Sequence, residues 1–218
     1  MSTDLWQALL TATWETIIMV LVSGLVASII GLPIGIYVFI TRPNGIWPQA
    51  KINRICDVIV NAWRSIPFII LLVAIIPFTR LVVGSSIGTA AAIVPLIMAA
   101  IPFFARLVDV ALQEIPKGLI EAGQAMGATP KQIVSRILLP EVLPSLINAL
   151  TLTLITLVGY SAMAGTVGGG GLGDLAIQYG YQRFNVTVML ITVLVLIVFV
   201  QVLQSLGDWL VNRVNKGN

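Results

Sequence analysis

Several kinds of residue that carry enzyme chemistry are scarce or missing from this 218-residue chain. There is no histidine, which excludes histidine-based catalytic triads, histidine-ligated metal sites and the usual proton relay. The single cysteine, Cys56, cannot form an internal disulfide. Charged residues make up only 10% of the chain, and the net charge of +3 is too small to indicate a nucleic-acid partner. We therefore expect no catalytic residue, no metal site and no cofactor.

Apolar residues, in contrast, make up 58% of the chain, where an ordinary soluble domain has roughly 45–50%. This composition predicts a membrane protein with several spans. A helix needs about 20 apolar residues to cross the bilayer. Four charge-free stretches are long enough, at residues 17–40, 81–105, 142–173 and 184–207. A fifth, at 65–79, is short and must borrow residues 55–63, which include Asp57. We count five spans, and predict an all-α protein that forms one domain over residues 1–218.

Basic residues predict the orientation of these spans. With five spans, three of the segments outside the membrane fall on one side, and they hold Arg42, Lys51, Arg54, Lys117, Lys131, Arg136, Arg213 and Lys216. The opposite side has only Arg80 and Arg183. Because cytoplasmic loops carry the excess of lysine and arginine, we expect the N-terminus outside and the C-terminus in the cytosol.

The longest polar interruption, residues 116–140, has the signals of two short helices joined by a tight turn. Pro116 suits a first helical turn, and Gly127 suits the left-handed residue that closes a helix. Thr129 and Gln132 have the spacing of a capping box at the start of a second helix. Pro140 should end that helix, because the residue before a proline is disfavoured in the α conformation. The apolar side chains of this segment need cover from the membrane domain or a partner, namely Leu119, Ile120, Met126, Ile133, Ile137 and Leu138.

The spacing of this segment resembles a known family. Glu121-Ala122-Gly123, then Gly127, then Ile137-Leu138-Leu139-Pro140 is similar to the EAA loop of bacterial ABC importer permeases, E-A-A-x3-G-x9-I-x-L-P. Gly123 stands where that family often has alanine. The resemblance implies that residues 116–140, here named the coupling hairpin, insert into a cleft of a separate ATPase subunit and that this chain hydrolyses nothing itself. It also implies the coupling residues, which are Glu121, Ala122, Gly123, Gly127, Ala128, Thr129, Ile137, Leu139 and Pro140.

Other segments are similar to the methionine importer permeases in particular. They are Arg64-Ser-Ile-Pro-Phe-Ile-Ile-Leu-Leu-Val, Pro77-Phe-Thr-Arg, Ala125-Met-Gly-Ala-Thr-Pro, Thr156-Leu-Val-Gly-Tyr-Ser-Ala-Met163 and Gly170-Gly-Leu-Gly173. This resemblance implies a five-span homodimer in the bacterial inner membrane, of the type I ABC importer kind. It further implies two copies of an ATPase subunit, an external methionine-binding lipoprotein, and uptake of L-methionine and possibly the D-isomer by alternating access.

The fourth span holds the candidate transport path. Small and hydroxylated residues interrupt it, and each threonine there is explained as well by tight helix packing with its hydroxyl bonded to the preceding turn. The cluster Gly159, Tyr160, Ser161 and Met163 is a better candidate, because Tyr160 can donate a hydrogen bond and Met163 offers a soft contact to a thioether. No ionised residue lies in this span, so a neutral or zwitterionic solute passing a weak site fits it better than an ion.

Two further features have a plain reading and a functional one. Residues 168–173 match G-x-G-x-x-G, but they follow a membrane helix rather than a strand, so a dinucleotide site is a coincidence. We expect residues 165–183 to form an external glycine-rich loop near the dimer axis or a docked binding protein. Arg64 either extends to the cytosolic interface or pairs near the cytosolic mouth, with Asp57 two turns before it.

Three alternatives to methionine import stay open. A permease for another amino acid or small organic solute would share the hairpin and differ in the fourth span. An intramembrane enzyme would need a base beside Ser161, and neither a histidine nor a nearby lysine supplies one. A channel would be expected to show rings of acidic residues, which the sequence does not contain.

Overall fold

Four long helices dominate the structure, a computed structural model that describes residues 3–215. They are α1 (Thr3–Ile40), α5 (Thr89–Gln113), α9 (Leu143–Gly165) and α11 (Val186–Asn215), and each is long and apolar enough to cross a membrane. Lys216, which we counted among the cytosolic basic residues, lies outside the described range. The part of the chain from 3 to 215 contains no strand, so the predicted all-α class is confirmed.

The second predicted span is broken rather than straight. It consists of α2 (Ala50–Arg64), α3 (Phe68–Ala74) and α4 (Ile76–Val83), and α2 and α3 are bent by 97° relative to each other. Pro67 lies at the bend with φ −57° and ψ 134°, because its ring and missing N–H prevent a helix from continuing through it. The count of five spans holds if the bent pair α2 and α3 is one of them.

The third span lies further along the chain than predicted. We expected residues 81–105, whereas α5 runs from Thr89 to Gln113 and includes Arg106 and Asp109. Residues 84–88 form the turn before it, where Gly84 and Gly88 have φ values of +82° and +98°. The charge-free stretch therefore misplaced both ends of this helix. Arg106 and Asp109 stay within the helix because they are paired with each other and with residues of α1 and α2.

Two glycines bring α1 and α5 into close contact. A Cβ atom at Gly35 would lie 2.5 Å from the carbonyl oxygen of Ala105, and one at Gly31 would lie 3.0 Å from that of Ile101. Pro33 lies between these glycines within an uninterrupted helix. The glycines are thus needed for helix packing, as small residues at membrane helix interfaces generally are.

The core is divided into three layers along the helices. The central layer packs α1, α3, α5, α9 and α11 around residues such as Met19, Leu96 and Leu157. A second layer, at one end of the spans, joins α5 to the coupling hairpin. A third layer, at the opposite end, joins the first turns of α1 to α11 through Leu9, Leu172 and Val188. The hairpin and the glycine-rich segment are therefore each packed against the ends of the spans.

The glycine-rich segment, residues 165–183, is only partly a loop. After α9 ends, residues 166–170 form turns, and the chain then continues as α10 (Gly171–Leu175) and a π-helical segment (Ala176–Tyr181). The backbone N–H of Gly171 donates to Glu15 Oε2 at 2.7 Å, and that of Leu172 donates to Thr16 Oγ1 at 2.9 Å. The side chains of α1 thus satisfy the first N–H groups of α10, which no helical partner can satisfy.

Candidate coupling hairpin and transport path

The first helix of the coupling hairpin, α6 (Lys117–Ala125), ends in the left-handed glycine that its sequence predicts. Gly127 has φ +77° and donates to the carbonyl of Gln124 at 2.9 Å. Ala128 donates to the carbonyl of Gly123 at 3.1 Å. These two bonds form a Schellman motif, which satisfies the last carbonyls of the helix and reverses the chain.

The second helix starts with the predicted capping box. Helix α7 (Pro130–Ile133) has Thr129 as its N-cap, and the Thr129 side chain accepts from the Gln132 N–H at 3.4 Å. The Gln132 side-chain oxygen accepts from the Thr129 N–H at 2.8 Å. The turn between the helices is therefore fixed by hydrogen bonds on both sides.

Pro140 does not end the second helix, so that prediction is wrong. The chain continues from α7 through a π-helical segment (Val134–Leu138) into α8 (Leu139–Glu141), and Leu139 is helical with φ −61° and ψ −45°. The N–H of Leu139 bonds the carbonyl of Val134, five residues back. This wider turn makes room for the proline ring, which in an α-turn collides with the carbonyl four residues before it.

Part of the hairpin is buried on the membrane domain and part is exposed. Ile133 and Leu138 are buried beside Leu112 of α5, so the membrane domain covers the second helix. Gly123 is buried against Ile137, and a Cβ atom there would lie 2.7 Å from Ile137 Cδ1, so an alanine would require that side chain to shift. Met126, at 87% exposed, and Leu119 stay uncovered in the protomer.

The structure divides the predicted coupling residues into two groups. Gly123 is buried and Ala128, Ile137 and Leu139 are half-buried within the hairpin, so they shape it. The exposed group can contact another protein and consists of Glu121, Ala122, Gly127, Thr129 and Pro140.

A polar cleft of about 530 Å³ lies beside the exposed group. The end of α1 and the loop that follows it, with Phe39, Arg42 and residues 44–46, form one wall. Helix α6 forms the opposite wall with Lys117, Ile120, Glu121 and Gln124, and Gln113 and Ile115 line it from the end of α5.

The predicted path residues do not all lie on one face of α9. Leu152, Thr156, Gly159 and Met163 follow one another at spacings of three and four residues and form a stripe that the other described helices leave largely uncovered. Ser161 is buried on another face, and its hydroxyl donates to the carbonyl of Val158 at 2.8 Å.

Tyr160 lies at the edge of this stripe. Its ring stacks on that of Phe68 in α3, with centroids 4.5 Å apart and planes at 1°. The stripe and this aromatic pair form a surface without an ionised group. The path residues that lie together are therefore Gly159, Tyr160 and Met163.

One cluster of charged side chains was missed by the sequence reasoning. Asp109 of α5, which is 1% exposed, accepts from Arg42 Nη2 at 2.8 and 2.9 Å and from Arg106 Nη1 at 3.0 Å. Arg106 also contacts Asp57 of α2 at 3.3 Å. The spacing of Arg106 and Asp109, one turn apart just after a charge-free stretch, was the available signal. Asp57 thus pairs with Arg106, and Arg64 is exposed.

A comparison with protein-family models identifies the chain. The model described as a binding-protein-dependent transport system inner membrane component matches residues 31–216. The chain belongs to this family.

Individual relatives are similar to this permease over most of its length. The probable D-methionine transport system permease protein MetI of Vibrio cholerae is 56% identical over 95% of this chain and 92% of its own length. The D-methionine transport system permease protein MetI of Escherichia coli K12 is 59% identical over 76% of each chain.

Solved structures give the same architecture. A chain of the MetNI methionine ABC transporter, in inward-facing conformations, has a TM-score of 0.96 and 56% identity, with 98% of this chain and 99% of that chain covered. An amino acid ABC transporter, crystallised with histidines, is 19% identical with a TM-score of 0.71 and shares the fold. The type I importer fold and the resemblance inferred from the EAA loop are both confirmed.

Proposed function

We propose that this permease is the membrane-spanning subunit of an ATP-driven importer that takes up methionine. The observation that carries the proposal is the match to a chain of the MetNI methionine ABC transporter over nearly the whole length of both chains. The D-methionine transporters among its relatives support uptake of both stereoisomers. The permease works by alternating access and performs no chemistry on its substrate.

The coupling hairpin is the docking element for a separate ATPase subunit. Its turn is fixed by caps at Gly127 and Thr129, and its second helix is packed on α5, so a force applied to the hairpin reaches the spans. Its exposed residues, with Glu121 among them, provide a contact surface. The hydrolysis of ATP takes place in that ATPase subunit.

The uncovered stripe on α9 faces a second copy of the chain across the transport path. Polar and small residues at membrane depth are expected to face protein or water rather than lipid. Two copies of Met163 and of the Tyr160–Phe68 pair would then surround the solute with apolar and aromatic contacts, and a thioether packs well in such surroundings. Two permeases, two ATPase subunits and an external methionine-binding lipoprotein make the complete transporter.

The orientation places the coupling hairpin and the C-terminus in the cytosol and the N-terminus outside. The basic residues support it, since those between α1 and α2, in the hairpin and after α11 fall on one side. Reaction of single cysteines with a membrane-impermeant reagent in intact cells tests it. Thr11→Cys in α1 should react and Gln124→Cys in the hairpin should not, whereas the reverse result would contradict the orientation.

Uptake of radiolabelled L- and D-methionine tests the substrate. The permease is expressed with its ATPase and binding protein in a strain that lacks its own methionine importer. We expect uptake that competition with unlabelled methionine abolishes. Uptake of another amino acid instead would replace methionine as the substrate and leave the rest of the proposal standing.

Variants of the path and the hairpin test the two assigned surfaces. Met163→Ala and Tyr160→Phe should lower uptake, while Leu190→Ala, at a similarly exposed apolar position on α11, should not. Glu121→Arg should separate ATP hydrolysis from uptake, while Glu141→Arg, exposed just beyond the hairpin, should leave them coupled. Normal, coupled uptake in Met163→Ala, Tyr160→Phe and Glu121→Arg would refute both assignments.

A further inference from the structure

We propose that Asp109 is a positioning residue for ATP-driven transport, because its pair with Arg42 fixes the first cytosolic loop as the second wall of the cleft beside the coupling hairpin. The proposal rests on the proposed function, in which an ATPase subunit docks on that hairpin. It adds a second surface of the permease to the docking site, formed by Arg42, Asn44 and Gly45.

The Asp109 carboxylate accepts hydrogen bonds from three side chains. Arg42 Nη2 donates to both of its oxygens, Arg106 Nη1 donates at 3.0 Å and Gln113 Nε2 donates at 3.2 Å. Asp109 is the only acidic or basic residue that is buried in the described part of the chain. A buried carboxylate is tolerated only when it is paired in this way, so the position of the Arg42 guanidinium is set by α5.

Arg42 in turn sets the course of the loop that follows α1. Its carbonyl accepts from the Gly45 N–H at 2.9 Å, and the Trp47 N–H bonds the carbonyl of Ile40 at 2.9 Å. These bonds close a tight turn whose residues Asn44 and Gly45 line the cleft opposite α6. The loop is therefore held at one end by a side chain that α5 fixes.

Gln113 connects the same cluster to the cleft directly. Its Nε2 donates to the Asp109 carboxylate and to the Asp109 carbonyl oxygen at 3.0 Å, and Gln113 also lines the cleft. The loop after α1 and the end of α5, which both line the cleft, are thus both held by hydrogen bonds to the Asp109 carboxylate. A change at Asp109 should move the loop relative to Glu121 without touching the hairpin.

The cluster contains its own matched control. Asp57 contacts Arg106 through one bond of 3.3 Å and is 44% exposed, whereas Asp109 is 1% exposed with several bonds. Exposed pairs contribute little, so Asp57→Asn should change transport less than twofold, about what surface ion pairs are worth. Asp109→Asn removes the same charge from the centre of the cluster and keeps the shape of the side chain.

The experiment uses the complete transporter in proteoliposomes and measures methionine transported per ATP hydrolysed. We expect Asp109→Asn to lower this ratio about fivefold, within the range of couplings carried by charge networks. Arg42→Lys keeps the charge but carries it on a different, more flexible side chain without the planar guanidinium, so it should give a smaller loss. An unchanged ratio in both variants would overturn the proposal, and Arg42→Lys alone decides it if Asp109→Asn does not assemble.

A second readout reports the position of the loop. In a Cys56→Ser background, Asn44→Cys and Gln124→Cys place one thiol on each wall of the cleft, where a short bifunctional reagent can join them. Cross-linking should fall when Asp109→Asn is added and stay the same with Asp57→Asn. Equal cross-linking in both would also overturn the proposal. If Glu121→Arg leaves transport coupled to ATP hydrolysis, the proposed docking on the hairpin fails. If Glu121→Arg abolishes this coupling and Asp109→Asn keeps it, only the role proposed for Asp109 fails.

Discussion

Replacing Gly127 with alanine tests whether the turn of the coupling hairpin depends on backbone conformation alone. Gly127 has φ +77°, and a Cβ atom added there would meet nothing within 4 Å. Within the protomer, any effect of the substitution on the turn must therefore come from the left-handed conformation, not from a collision with a neighbour. Few positions separate these two causes so clearly.

The size of the effect follows from two opposing terms. The left-handed conformation costs an L-residue about 1–2 kcal/mol. Alanine also restricts the unfolded segment, which returns about 0.4–1 kcal/mol. The turn should lose about 1 kcal/mol of stability, so its open form becomes about fivefold more populated.

Hydrogen exchange of the purified transporter measures this opening. The amides of Gly127 and Ala128, which bond the carbonyls of Gln124 and Gly123, should exchange about fivefold faster in Gly127→Ala. Gly118→Ala is the matched control, since Gly118 lies in α6 with nothing within 4 Å and without a positive φ. Alanine stabilises that helix by about 0.5–1 kcal/mol, so exchange should slow. Equal exchange in the two variants would refute the argument. Gly127→Val should also lower the amount of methionine transported per ATP hydrolysed, because a branched side chain is strained more than alanine in the left-handed conformation.

Three other substitutions test contacts elsewhere in the permease. Gly35→Ala should destabilise it by about 1–3 kcal/mol, seen as a lower thermal midpoint in detergent, because the new Cβ would lie 2.5 Å from a carbonyl oxygen of α5. Gly118→Ala, with no atom within 4 Å of the new Cβ, should not. Glu15→Ala should speed hydrogen exchange at the Gly171 amide, because it removes the acceptor of that amide and so destabilises the contact by about 1–3 kcal/mol. Glu15→Gln should restore much of the protection, because its side-chain oxygen can accept the same hydrogen bond. Leu138→Ala, at a fully buried position, should cost about 2–5 kcal/mol in chemical unfolding of the hairpin layer, and a loss below 1 kcal/mol would contradict the packing described.

Local signals predicted the hairpin well because its structure is determined by nearby residues. A left-handed glycine and a capping box act over three or four residues, and both form where the sequence places them. The prediction that Pro140 ends the second helix was wrong for a related reason. The usual effect of a proline on the preceding residue is overcome here by a wider helical turn, which a rule about neighbouring pairs cannot include.

The spans were predicted less accurately at their ends than in their number. A search for charge-free stretches treats each charge as a boundary, so it placed the end of the third span before Arg106. The structure keeps Arg106 and Asp109 in the helix because partners from α1 and α2, distant in sequence, satisfy them. Ser161 could not be separated from Gly159 and Met163 either, since only the packing around α9 shows which face is covered.

The distribution of charge gives different roles to the two halves of the permease. In the proposed transporter, the uncovered stripe on α9 offers a solute mainly apolar, aromatic and small residues and no ion, so a zwitterion leaving water there recovers little of its lost hydration. Such a path can hold its solute only weakly, which suits release but not selection. Within the proposed transporter, selection between solutes therefore belongs mainly to the external binding protein, and the path contributes by excluding ions. The buried Asp109 and its arginine partners lie instead at the hairpin end of the spans, where, in the proposed transporter, they fix the geometry on which a force from ATP hydrolysis acts.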